Sequence, residues 1–277
     1  MRPDAADGPT VSLTFDNLGE ASEIEAGVWP DDAPTGEHFS VVEMLPALLE
    51  LLEEHELEAT FFVEGLNAEI YPDVLRDLVS RGHEVGLHAW RHENWGELDA
   101  ARERELLERG TSAMRSIGIE PAGFRPPGGR LTERSVGLLR ELGYRYVSPA
   151  GEREGVLDGL AVLPFRWRLI DAYFYLPAFA GLRERRGDPS DPMGPSQLRD
   201  RLVAALDEHA TDGGGHLAPI LHPFLVSVDR DAALGAIGDV LEHLRRLERD
   251  GRLRCVRMDR AAQLVSGEPE LDESSWM

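Results

Sequence analysis

The chain contains no lysine; all 29 of its basic residues are arginine. Without a primary amine on a side chain, Schiff-base catalysis and a Walker-type phosphate lysine are both excluded. Cysteine is almost absent too. Cys255 stands alone among 277 residues, so no intramolecular disulfide can form, and its setting in Leu253-Arg254-Cys255-Val256-Arg257-Met258 predicts a buried strand residue. Positive charge is scarce against 51 acidic residues, and the resulting net charge of -22 speaks against steered binding to nucleic acid or to an anionic membrane. No apolar run reaches the length of a membrane span. Residues 1–7 offer neither an apolar stretch nor a cleavage site, so the expected location is the cytoplasm. What is present is ordinary for a globular chain: 42% hydrophobic residues, enough for the core of one domain over 1–277, with its core at about 11–258 and an acidic tail at 266–277 expected to fray.

Along the chain, strand-like and helix-like segments alternate about seven times. Val11-Ser12-Leu13-Thr14-Phe15-Asp16 is a β-branched and aromatic run that delivers a carboxylate to its C-terminal end. A polar segment rich in Gly, Pro, Asp and Glu follows at 17–38, of a length that usually carries function or mobility. Ser40 with Glu43 has the capping-box pattern before a leucine-periodic helix at 41–54. Further strands are expected at 58–63, 83–87, 144–148, 217–222 and 253–258, and an extended segment starts at Leu160. Helices are expected at 71–81, 99–117, 133–142 with Thr132 as cap, 197–209 and 229–250. Residues 173–195 break the pattern and are expected to form a lid or a subunit contact, which allows a homo-oligomer. The alternation means an α/β fold with a mainly parallel sheet.

The chemically distinctive residues fall at strand ends. Asp16, the pair His88 and His92, Arg125 and His222 each close or follow a strand-like run. They converge only if the sheet curls, so a (β/α) barrel of about seven parallel strands is favoured over an open sheet. Imidazoles four residues apart, in His88-Ala89-Trp90-Arg91-His92, can meet on one ion where the backbone turns; the bland alternative is two polar loop histidines. Arg125-Pro126-Pro127-Gly128-Gly129 is a rigid turn that neither strand nor helix can continue. His38, His55, His209, His216 and His243 sit in polar or helical surface contexts, and His83 reads as framework. Trp29, Trp90, Trp95, Tyr173 and Phe174 are candidates to line a ligand site or, more simply, to pack their loops down.

In this order the motifs resemble those of the polysaccharide deacetylases that share the NodB homology domain. Thr14-Phe15-Asp16-Asn17 is similar to T-F-D-D, His88-Ala89-Trp90-Arg91-His92 to H-[ST]-x-x-H, Arg125-Pro126-Pro127-Gly128-Gly129 to R-x-P-x-G, and Leu221-His222-Pro223 to the L-x-H region. The framework strands Thr60-Phe61-Phe62-Val63 and Gly82-His83-Glu84-Val85 match between them. The resemblance implies a distorted (β/α) barrel and a hydrolase of N-acetyl or related amide groups that uses a divalent metal, zinc in the first place. Carried over by residue, it implies Asp16 as general base, His222 as general acid, Arg125 orienting Asp16, Asp171 tuning His222, and Asn17, His88 and His92 as metal ligands.

Three departures qualify it. Asn17 stands where the family has a second acid, and an amide lacks the charge of a carboxylate, so metal affinity should fall unless Glu20 compensates. Ala89 removes a hydroxyl that would orient a ligand, and Gly128 leaves one wall open where many members are aromatic. The expected function is hydrolysis of a carbon-nitrogen bond in an N-acetylated sugar or a similar small amide, with no nucleic-acid or membrane partner. The alternatives are a metal-independent, allantoinase-like amidohydrolase, as in the cytoplasmic branch these changes resemble, and an inactive carbohydrate-binding relative. The segments at 17–38 and 173–195 are expected to wall the site.

Overall fold

The computed structural model describes residues 8–265; the N-terminal residues 1–7 and the acidic tail at 266–277 lie outside the described residues. Eleven short strands are described: β1 Thr10–Val11, β2 Thr14–Asp16, β3 Thr60–Val63, β4 Glu84–Leu87, β5 Gly123–Phe124, β6 Tyr146–Val147, β7 Gly155–Leu157, β8 Leu160–Val162, β9 His216–Leu217, β10 Ile220–Leu221 and β11 Arg254–Cys255. The larger sheet runs β10-β2-β3-β4-β5-β6-β8-β7, and its first seven strands are parallel. Only β7 is antiparallel, folded back on β8. A smaller parallel sheet, β11-β1-β9, lies at its edge.

The barrel is curled, and among the described residues it closes through a single bridge. Beyond β8 the chain continues in extended form to Phe165, which bridges Ala150, and Ile170 then bridges Ile220 of β10. That irregular return replaces an eighth regular strand and makes the ring distorted. Each of the runs at 11–16 and 217–222, expected as one strand, is divided in two. The reason is a change of partner: Thr10 pairs with Arg254 of β11, while Thr14 pairs with Thr60 of β3. Pro219 has no N–H, so the ladder beside it is interrupted, although its carbonyl still accepts from the Thr14 N–H at 3.2 Å.

Parallel strands covered on both faces read as continuous apolar runs, and Phe61, Phe62 and Val63 are completely buried. Leu45, Leu48, Leu49 and Leu52 of the helix Leu45–Glu54 share one core with Phe61 and Val63, while Phe62 packs in a second core with Tyr146 and Met258. Asp99 caps the helix Ala100–Ser116, its carboxylate accepting from Ala101 and Arg102 N–H groups at 3.0 and 2.9 Å. The capping box expected at Ser40 does not form. Residues Ser40–Met44 make a π-helical turn, and the Ser40 hydroxyl instead meets His38 Nδ1 at 2.7 Å and accepts from the Gly19 N–H at 3.1 Å. The helix expected from Glu133 begins at Ser135, with Thr132 Oγ accepting the Arg134 N–H at 3.2 Å.

Four histidines expected on the surface, His38, His209, His216 and His243, are buried. Each found a polar partner inside; His209 Nε2, for one, donates to the Thr10 carbonyl at 3.0 Å. His83 is framework, its Nδ1 accepting the Ala59 N–H at 3.2 Å. Residues 17–38 and 173–195 are more ordered than loops: they carry the helices Ala21–Glu25, Asp171–Tyr175 and Ala180–Arg185. Arg183, fully buried, donates to the carbonyls of Tyr173, Leu176, Pro189 and Ser190 and ties the second segment together. Cys255 is only partly buried, on β11. Among the described residues no helix is long and apolar enough to cross a membrane.

Candidate active site

At the C-terminal ends of the strands lies a cavity of about 320 Å³ lined by Asp16, Asn17, His88, His92, Arg125 and His222, among others. Arg125 organises one side. It follows β5 and is fully buried, its guanidinium 4.1 Å from the Phe62 ring centroid and 5.4 Å from that of Phe165. Its Nη1 donates to Asp16 Oδ1 at 2.7 Å and to Thr14 Oγ1 at 2.8 Å, while Nε and Nη2 donate to Ser148 Oγ at 3.2 and 3.0 Å. The Asp16 carboxylate is thereby fixed at the end of β2 by a charge-assisted bond inside the protein. Burial pulls the Arg125 guanidinium below its ordinary value, and the Asp16 charge opposes that pull.

His222 follows β10 and is gripped by Asp171. Its Nδ1–H donates to Oδ1 at 2.5 Å, and its backbone N–H donates to Oδ2 at 2.6 Å. The bridge between Ile170 and Ile220 sets the register that brings the two residues side by side. Burial alone would push the imidazole down, but the Asp171 charge and hydrogen bond outweigh it and hold His222 above its usual range. Asp171 itself stands behind His222 rather than in the cavity wall.

His88 closes β4 and donates its Nδ1–H to the Arg125 carbonyl at 2.8 Å, which leaves Nε2 with its lone pair. The His88 and His92 rings meet edge to face with centroids 5.0 Å apart. Burial pushes both down to about 3, so both are neutral near pH 7. The turn between them is strained: Ala89 and His92 have φ of 62° and 78°, and Asn17 at the end of β2 has 59°. Asparagine and histidine are the better tolerated side chains in that region, whereas alanine there costs on the order of 1–3 kcal/mol. Glu93 holds the turn, accepting the Trp90 and Arg91 N–H groups on Oε2 at 3.0 and 2.9 Å.

A divalent cation would find two neutral imidazoles and the Asn17 amide here. Asn17 Oδ1 is buried and has no hydrogen-bond partner within the protein, as befits an oxygen meant for something else. Among the described residues no three His, Cys, Asp or Glu side chains are grouped to hold a metal, so a third donor beside the two imidazoles would have to be the uncharged amide oxygen. Two nitrogens and one oxygen fit a borderline ion such as zinc. Glu20 does not compensate: its Oε1 accepts the Gly36 N–H and its Oε2 the Tyr71 hydroxyl, each at 2.6 Å.

Of the aromatics singled out in the sequence, Trp90, Trp95, Tyr173 and Phe174 are core residues and, with Trp29, are absent from the cavity wall. Phe165, Trp167, Ile170, Leu176, Phe179 and Phe224 line it instead, with Ser22. Phe165 and Trp167 follow β8, the strand-end signal that had drawn attention to Asp16. Glu64, directly after β3, carried the same signal and was passed over. It is fully buried, accepts from Asn67 Nδ2 at 3.0 Å, and burial pushes its carboxyl up to about 8, with the Asp16 charge adding to the rise. In the turn after Arg125, Gly128 and Gly129 both have positive φ; the Gly129 N–H donates to the Pro126 carbonyl at 2.9 Å and prolines have none, so Gly128, which lines the cavity, carries the turn's other N–H.

A family model for polysaccharide deacetylases matches residues 4–147, just over half of the 277. The peptidoglycan-N-acetylglucosamine deacetylase of Bacillus cereus is 28% identical over 130 residues, 47% of this chain and 45% of its own length. The chain thus spans less than half the length of that curated relative. A crystal structure of a Mycobacterium smegmatis protein assigned as a polysaccharide deacetylase superposes with a TM-score of 0.80 at 26% identity, covering 97% of this chain and 96% of that one. A crystal structure of PuuE allantoinase superposes with a TM-score of 0.74 at 19% identity, covering 95% and 91%, a likeness of fold. The match spans the strands that carry Asp16, His88, His92 and Arg125, and on it the chain belongs to the polysaccharide deacetylase family.

Proposed function

We propose that the chain hydrolyses carbon-nitrogen amide bonds, removing the acetyl group from an N-acetylated sugar or a related small amide. The observation that carries this reading is one cavity shared by a carboxylate locked to a buried arginine, Asp16, and an imidazole backed by a carboxylate, His222. An amide needs an activated water and a proton for its departing nitrogen. Asp16 accepts a proton from the attacking water as the water oxygen bonds to the carbonyl carbon. His222, whose protonated form the Asp171 charge favours, then gives its Nε2 proton to the nitrogen as the C–N bond breaks, releasing a carboxylic acid and an amine. The Gly128 N–H is the donor available to the oxyanion between those steps.

His88, His92 and Asn17 are the residues that would hold a divalent ion, which when bound supplies Lewis acidity to the carbonyl and lowers the pKa of water. A metal-independent hydrolase is the second reading, and the uncharged amide of Asn17 among the donors is what favours it. Amine release from acetylated substrates by chelator-treated protein, with and without added zinc, tests both readings. Release restored by zinc supports the metal-assisted reading, release unaffected by chelation the second, and no release under either condition contradicts the hydrolase.

A further inference from the structure

The reacting groups account for nearly all the polarity of the cavity. Apart from them, the Ser22 hydroxyl and the indole N–H of Trp167 are the polar side-chain groups among the described residues that line it. The rest of the wall is mainly apolar, with Phe165, Ile170, Leu176, Phe179 and Phe224 and the body of Trp167. Three of these rings form a continuous surface, Phe165 to Trp167 at 5.4 Å between centroids and Trp167 to Phe179 at 5.6 Å. On the other side Phe224 stands edge-on to His222 with centroids 5.4 Å apart, so the apolar wall reaches the proton donor itself. Trp167, Leu176, Phe179 and Phe224 are all partly exposed.

A hexosamine offers several hydroxyls around its acetamide, and each one that is buried against the wall must exchange water for a protein partner. Here the Ser22 hydroxyl and the Trp167 indole N–H are the side-chain groups left to receive them. A ring or chain without hydroxyls loses nothing on entry and gains from every apolar surface it covers. We propose that the substrate of this cavity is a small amide whose amine portion is aromatic or aliphatic, an N-aryl or N-alkyl acetamide, with its apolar body against the Phe165, Trp167 and Phe179 rings. Being built on the same site, this rests on the amide-hydrolase reading.

Two measurements with the full chain keep the two claims apart: calorimetric binding of N-phenylacetamide and of chitotetraose, and amine release from each. The apolar amide is expected to bind at least tenfold more tightly than the oligosaccharide and to be hydrolysed with the higher kcat/KM. Phe179→Ala and Trp167→Ala are expected to weaken that binding about tenfold, the order that lost apolar surface in a pocket commands. The same changes should affect acetamide, which lacks the apolar body, much less. Tight binding of the apolar amide without amine release from either compound would support the substrate class while contradicting the hydrolase. Preferential binding and turnover of chitotetraose overturns the substrate class and leaves the hydrolase standing. Equal binding of both, or binding of the apolar amide indifferent to both substitutions, also overturns it.

Discussion

Asp171 holds His222 at two points, accepting the imidazole Nδ1–H on Oδ1 at 2.5 Å and the backbone N–H on Oδ2 at 2.6 Å. One carboxylate therefore sets the tautomer of the ring, its orientation and the path of the strand end that carries it. Asp171→Asn keeps the shape and removes the charge. The variant should lose about 10²-fold or more in kcat, and the alkaline limb of its pH–rate profile should move to lower pH, because His222 then releases its proton earlier. An unmoved limb would show that His222 is not the group that limits the rate there.

The same pair bears on stability. The folded-state pKa of His222 is raised, so the stability it contributes is full below the unfolded value of about 6.5 and is lost as pH rises through the folded one. The stability gap between wild type and Asp171→Asn should therefore be widest in acid and narrow toward alkaline pH. Urea titrations across pH 5 to 9 read it; a gap that widens with pH contradicts the assignment.

Arg125 gives a second prediction. Arg125→Met leaves Asp16 buried beside an apolar chain and should cost roughly 3–5 kcal/mol. The double variant with Asp16→Asn should recover a large part of that loss. Thermal melts of the single and double variants check it, and purely additive losses would mean that the ion pair is not coupled as its 2.7 Å contact implies.

Glu64 is neutral in the fold near pH 7 and charged in the unfolded chain, since burial pushes it up to about 8. Its contribution is full below the unfolded value of about 4.3 and is lost as pH rises toward 8. Relative to Glu64→Gln, wild type should lose roughly 1 kcal/mol per pH unit between pH 5 and 8. Denaturation midpoints of the two proteins that run parallel over this range would refute the neutral buried carboxyl.

Asn17→Asp separates the metal-assisted reading from the metal-independent one. In a metal-assisted hydrolase Asn17→Asp supplies a charged ligand, and affinity for zinc in a competition titration should rise, with activity following occupancy. In a metal-independent one the new charge stands beside Asp16, hinders its ionisation and lowers activity with or without zinc. Unchanged zinc affinity together with reduced turnover that chelators do not affect rules out the first.

The strand-end residues were legible in the sequence because each closes or follows a short strand-like run, and a parallel sheet must present such ends on one side. Their convergence required a curled sheet, and the β10-β2-β3 neighbours brought Asp16 and His222 together. The division of the run at 11–16 was not legible: it depends on β11 and β3 taking successive turns as partner, and both lie far from the run in sequence, at Arg254 and Thr60. Nor was the apolar wall. Leu176, Phe179 and Phe224 lie on irregular turns with no period, so nothing local separates them from core aromatics such as Trp95. The buried histidines were misread for a related reason. His209 and His243 lie on the inner faces of charged helices, and their polar partners come from elsewhere in the fold.

The central claim is that Asp16 and His222 divide the proton transfers of amide hydrolysis. It is tested most directly by amine release from one acetylated amine, followed side by side for wild type, Asp16→Asn and His222→Ala, with folding checked by circular dichroism. Wild type is expected to release amine and acetate in equal amounts, and each variant to be slower by roughly 10²- to 10⁴-fold while remaining folded. Folded variants that turn over at the wild-type rate would contradict the account.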